Sequence, residues 1–122
     1  MSTPELNHVA LSRTNDVVLI EITTQHFHTP DTALELSAEL ARVAGQDWAQ
    51  RLVVNCKRIL FFSSTGFAAL VGLVKRCTSA GKQVRFCNMA PEILLGAQIT
   101  GLDKLAPIDA SETAALAAYA QA

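Results

Sequence analysis

Residues 51–81 read RLVVNCKRILFFSSTGFAALVGLVKRCTSAG, and the change of pattern inside this stretch decides the fold. Leu52-Val53-Val54-Asn55-Cys56 is a short apolar run with a β-branched centre, suited to a strand buried on both faces. Lys57 to Phe62 then leads into Ser63-Ser64-Thr65-Gly66, where small hydroxyl residues favour a helix start. Beyond it Phe67, Leu70, Val71, Val74 and Cys77 fall on one face, which predicts a helix from Phe67 to Ala80. Lys75 and Arg76 sit in its later turns, where positive charge suits the helix dipole, and Gly81 supplies the stop. Val84-Arg85-Phe86-Cys87 is the next strand, so the stretch reads as a β-α-β unit.

Upstream, His8 to Arg13 alternates loosely, Thr14-Asn15-Asp16 supplies turn chemistry, and Val17 to Ile22 is β-branched and apolar. These residues predict an opening hairpin. Thr24 to Thr29 reads as a polar connector carrying His26 and His28. Thr29 offers an N-cap, Pro30 the first helical position, and Ala33, Leu36, Leu40 and Val43 one apolar face. Glu35, Glu39 and Arg42 mark the opposite face, and Gly45 ends that helix.

Downstream, Pro91 and Glu92 start a helix that Gly101 ends, and Leu105 to Ile108 predicts a short edge strand interrupted by Pro107. Ser111 and Glu112 open an alanine-rich last helix through Ala120. The order predicts an α/β fold: one domain over residues 1–122, a mixed, mostly parallel sheet, and about four helices with right-handed crossovers. Gly72 and Gly96 fall inside helices, where close packing against the sheet is the expected compensation.

Composition narrows the function. Half of the 122 residues are hydrophobic and 17% are charged, so the chain can build a core and disorder is not its main state. Net charge is −1 with no basic block, which argues against nucleic-acid binding. The opening MSTPELNHVALSRTND has no basic-then-apolar targeting layout, and no apolar run approaches about 18 residues. A cytoplasmic protein without membrane contact is expected. Cys56, Cys77 and Cys87 are odd in number, form no C-x-x-C pair and lie in apolar segments, so free structural thiols are expected.

From Arg51 onward the chain resembles the STAS domains of bacterial anti-sigma factor antagonists. Those proteins run a buried strand into an Asp-Ser-Ser/Thr-Gly-Leu turn and a helix, and residues 51–105 follow that order to a Thr-Gly-Leu-Asp-Lys-Leu ending. The resemblance implies a non-enzymatic partner-switching protein without a cofactor. Its relatives bind an anti-sigma factor with Ser/Thr kinase activity and free a sigma factor from it. Phosphorylation of the first Ser after the family's Asp breaks that complex, and a Ser/Thr phosphatase reverses the mark. Carried over, the acceptor is Ser64, and the partner-binding turn comprises Phe62, Ser63, Ser64, Thr65 and Gly66. Ser63 stands where the family carries Asp, and Phe67 where it carries Leu.

Plainer readings stand beside this one. Ser63 to Gly66 also fits a bare capping turn, and the same fold also serves as a constitutive interaction or scaffold module. Of Phe61 and Phe62, one is expected to be exposed enough to anchor a partner. His26 and His28 share a strand face by their spacing, but only Asp31 lies near as a further metal ligand, so loop histidines are expected. No G-x-S-x-G supports a hydrolase nucleophile at Ser64, and no Gly-rich phosphate loop supports nucleotide binding.

Overall fold

The computed structural model describes residues 6–121. The opening hairpin is β1 (Val9–Thr14) and β2 (Val17–Ile22), turned by Asn15 at φ 57 and Asp16. A positive φ is the conformation a two-residue hairpin loop needs, and Asn tolerates it. The chain continues through β3 (His26–Phe27), α1 (Pro30–Ala44), β4 (Arg51–Asn55), β5 (Phe61–Phe62) and α2 (Ser64–Ser79). It closes with β6 (Gln83–Cys87), α3 (Pro91–Thr100), α4 (Leu102–Leu105), β7 (Ile108–Asp109) and α5 (Glu112–Ala120).

Five strands form the main sheet in the order β1-β2-β4-β6-β7. Only the β1–β2 pair is antiparallel; the other three pairings are parallel, giving the mixed, mostly parallel sheet of an α/β fold. Alternation along the strands divides the interior in two. Val18, Ile20, Leu52, Val54 and Phe86 join the main core with residues of α1, α2 and α3, while Val17, Val53 and Cys87 meet Ala115 and Tyr119 of α5. Tyr119 donates its hydroxyl hydrogen to the Leu52 carbonyl at 2.8 Å, satisfying a buried polar group.

Several local expectations are corrected. The Thr24 to Thr29 connector is not wholly irregular: His26–Phe27 pairs in parallel with Phe61–Phe62 as a second, two-stranded sheet. The cause is Phe27, fully buried and unable to stay in a solvated loop. The described residues form five helices where about four were expected, because Leu102, buried after the left-handed Gly101 (φ 83), opens an extra helical turn. The edge strand therefore lies at Ile108–Asp109, with the Pro107 carbonyl accepting the first bond from Phe86 N–H at 2.9 Å.

Glu39 is not on the solvated face of α1. It is 2% exposed, and its carboxylate accepts the backbone N–H groups of Asn7 at 3.0 Å and His8 at 2.8 Å. Those two charge-assisted bonds tie the start of β1 to α1. Nor do the two helix glycines pack on the sheet. A Cβ on Gly96 would stand 2.5 Å from the Phe67 ring, whereas one on Gly72 would meet nothing within 4 Å.

The three cysteines are free and buried, as their apolar settings predict. Burial pushes all three thiols up, Cys87 to about 12 with help from Glu112 and Asp109. Burial likewise raises the Tyr119 phenol.

Two measurements check this packing. Gly96→Ala overpacks Phe67 and is expected to lower stability by about 1–3 kcal/mol in urea unfolding. Gly72→Ala fills open space on a helix and should add up to ~1 kcal/mol. Equal effects from the two would contradict the contact assignment. The second concerns pH. Unfolded thiols and the phenol lose protons near their ordinary 9.0 and 10.0, while the folded ones stay protonated. The unfolded state then binds fewer protons, so stability falls as pH rises above about 9. A urea midpoint unchanged between about pH 8 and 10.5 would overturn that expectation.

Candidate functional site

The β5–α2 junction is built by its own side chains. Ser63 is the N-cap, extended at φ −82 and ψ 171, and its Oγ accepts the Gly66 N–H at 3.3 Å. Phe67 N–H donates to the Ser63 carbonyl at 3.1 Å, so the helix begins three residues before the apolar periodicity does. Ser64 is the first helical residue and is exposed. Its neighbour Ser63 makes the capping bond, so the turn does not need the Ser64 hydroxyl. Thr65 is half-buried.

Phe62 and Gly66, expected at a partner surface, lie inward instead. Phe62 is 9% exposed and meets Phe27 on one side and Phe67 on the other, edge to face, each at 4.9 Å between ring centres. Gly66 is buried because Phe62 lies over it: a Cβ there would stand 2.7–2.9 Å from the ring. Strand alternation sends the two phenylalanines to opposite sides, so the exposed one is Phe61, at 45%.

Phe61 is not alone. Its ring stacks on His28 at 4.6 Å, and His28 stacks on His26 at 5.2 Å, making an exposed row of three flat rings. The shared strand face of the two histidines was legible in their spacing. Their stacking on Phe61 needed the β3–β5 pairing, which no local pattern announced. No group of three or more His, Cys, Asp or Glu placed to hold a metal occurs among the described residues. Leu60, just before Phe61, is 62% exposed, and its N–H and that of Phe61 both donate to the Gln25 carbonyl.

Charge at this end is sparse. Lys57 and Arg58 share one carboxylate, Glu21, each at 3.5 Å. With side chains more than half exposed, both pairs are worth little. A shallow groove between α2 and the end of α3 runs from Ser64 past Ala68, Val71 and Gly72 to Lys75, with Thr100 on its far wall. The arrangement offers a free hydroxyl at a helix start, an apolar and aromatic rim, and weakly held cations. It can accept a phosphate or a partner surface.

Among the described residues no helix is long and apolar enough to cross a membrane. Residues 8–115 match the family model for the STAS domain. The fold superposes on the anti-sigma factor antagonist SpoIIAA in its unphosphorylated form with a TM-score of 0.75 at 19% identity, covering 93% of this chain and 97% of that one. The phosphorylated form of the Bacillus cell fate determinant SpoIIAA gives 0.67 at 19% identity, over 91% and 98%. The STAS domain of a SulP transporter from Vibrio cholerae gives 0.68 at 15%, over 90% and 85%. The identities are low and the likeness is one of fold, while the family match spans most of the chain. The chain belongs to the STAS domain family and has the fold of its anti-sigma factor antagonists.

Proposed function

We propose that this protein is a cytoplasmic anti-sigma factor antagonist, a binding protein rather than an enzyme, switched by phosphorylation of Ser64. Its partner is an anti-sigma factor with Ser/Thr kinase activity, from which it releases a sigma factor; a Ser/Thr phosphatase restores the bound state. The observation that carries this reading is the exposed Ser64, spared from capping by Ser63 and following the exposed Leu60 and Phe61 closely in the chain.

The energetics favour a switch of docking over a switch of fold. A phosphate brings about −1.5 to −2 charges, and at a helix N-terminus such charge is favourable by roughly 0.3–1 kcal/mol. The domain therefore keeps its shape. A partner lying over Leu60 and Phe61 gains only part of the roughly 1.5–3 kcal/mol that full burial of an exposed side chain brings, because the two are already partly buried, at 62% and 45% exposure. Burying an unpaired phosphate beside them costs several kcal/mol, so the charge outweighs the apolar contact.

Ser63 in place of the family's Asp favours a second reading, a constitutive scaffold module in a stress-signalling or transport complex. Incubation with an anti-sigma factor kinase from the same genome and ATP, with phosphate mapped by mass spectrometry, separates the two. Label is expected on Ser64 and is lost in Ser64→Ala. Ser64→Asp should weaken binding to the kinase at least tenfold. Absence of transfer, or undiminished transfer in Ser64→Ala, removes the phospho-switch; a stable complex indifferent to Ser64→Asp establishes the scaffold reading.

The cap itself is testable without any partner. Ser63→Ala should cost about 1 kcal/mol in urea unfolding, and Ser63→Asp, also a good cap, close to nothing. A neutral Ser63→Ala would show that the helix start does not depend on that bond.

A further inference from the structure

β1 ends the sheet order and carries no strand on its outer side among the described residues. Which of its backbone groups face outward follows from one bond and the register. Thr23 N–H donates to the His8 carbonyl at 2.8 Å, and these residues lie directly opposite in the pairing that sets Val9 against Ile22. Hydrogen-bonded pairs alternate in an antiparallel ladder, so Ala10, Ser12 and Thr14 point their peptide groups at β2. Val9, Leu11 and Arg13 point theirs away from the sheet.

Edge strands are ordinarily blunted by charge, proline or a bulge. Here Val9 to Ser12 has none of the first two, and the pairing runs without a break from Val9 to Thr14. The one charged residue, Arg13, lies over the Trp48 ring at 5.7 Å instead of standing across the edge. The strand is exposed at Ala10, Ser12, Arg13 and Thr14.

We infer that two copies of this chain pair through β1, antiparallel about a two-fold axis at Leu11. That register is the one that pairs all three outward residues within the strand: Leu11 faces Leu11, and Val9 faces Arg13 of the second copy. It yields about six inter-chain N–H···O bonds and joins two five-stranded sheets into one. Charge fits the same register. Across the pair, Arg13 of the second copy lies beside Val9, one residue from His8, whose Nε2 contacts Glu35 at 3.1 Å. Glu35 is 65% exposed, so its carboxylate is open to that guanidinium, and symmetry supplies the contact twice. A register shifted by two residues would leave one outward residue of each strand without a partner in β1 and would part Arg13 from Glu35.

Ser64 begins a helix packed on α1, α3 and β6, away from this edge. The pairing does not rest on any role for Ser64, and it would present two Ser64 sites per dimer to a two-fold partner.

The test is sedimentation equilibrium of the full chain across a wide concentration range. The wild type is expected to pass from monomer to dimer. Arg13→Glu should weaken the dimer about tenfold, and adding Glu35→Arg to it should restore the original constant. Leu11→Pro, tolerable at an edge because that N–H faces outward, removes the central bonds and should leave a folded monomer. Trp48 is the single tryptophan, so its emission should shift with the same midpoint as Arg13 leaves its ring. A wild type monomeric at about millimolar concentration overturns the inference, as does a dimer untouched by both Arg13→Glu and Leu11→Pro.

Discussion

The edge-to-face column Phe27–Phe62–Phe67 sets the position of everything near Ser64. Each contact spans 4.9 Å between ring centres, and the three residues come from β3, β5 and α2. Such pairs add about 0.5–1.5 kcal/mol each beyond the burial of their surface. The column leaves no room for a side chain at Gly66 under Phe62 or at Gly96 against Phe67, which also brings α3 against the base of α2. Two glycines and three rings thus fix the angle at which the chain enters α2. With Phe62 held inward, Phe61 must face out, and the residues after it must turn at once into the helix.

Much of this architecture is legible in local sequence. The β-α-β reading of residues 51–87 holds because strand and helix periods differ and Gly81, at φ 73, marks their boundary. The helix of Pro30 to Ala44 is announced by Thr29, Pro30 and its apolar spacing, and Thr29 does cap it, accepting the Thr32 N–H at 3.4 Å. The last helix begins as expected, with Ser111 accepting the Ala114 N–H at 3.1 Å.

What escaped was non-local. Glu39 resembles a surface residue until the start of β1, more than thirty residues earlier, offers it two N–H groups. Phe27 sits between two histidines in a polar stretch, and only the distant Phe62 reveals it as core. Gly96 has no local reason to be glycine; the Phe67 ring is the reason. The site shows the same division. The helix start and the exposure of Ser64 follow from short-range chemistry, whereas the burial of Phe62 and the imidazole row beside Phe61 depend on strands paired across thirty-odd residues.

The serine at position 63 carries an electrostatic consequence for the proposed switch that the capping geometry brings out. α1, α3, α4 and α5 each hold an acidic residue in the first turn, Asp31, Glu92, Asp103 and Glu112, and α2 holds none. An Asp at the cap would neutralise part of the positive end of the helix and would stand beside any phosphate added at the next residue. Two like charges that close repel, at an effective dielectric near 20, by about 4 kcal/mol for unit charges 4 Å apart. With Ser63 the cap bond survives, the repulsion is absent, and the helix end keeps its full partial charge. The missing carboxylate removes a feature a kinase can read, yet it makes the phosphorylated state of this particular helix start easier to hold. Under the proposed switch, recognition and retention of a phosphate would therefore place opposite demands on the same position, and Ser63 would shift the balance toward retention.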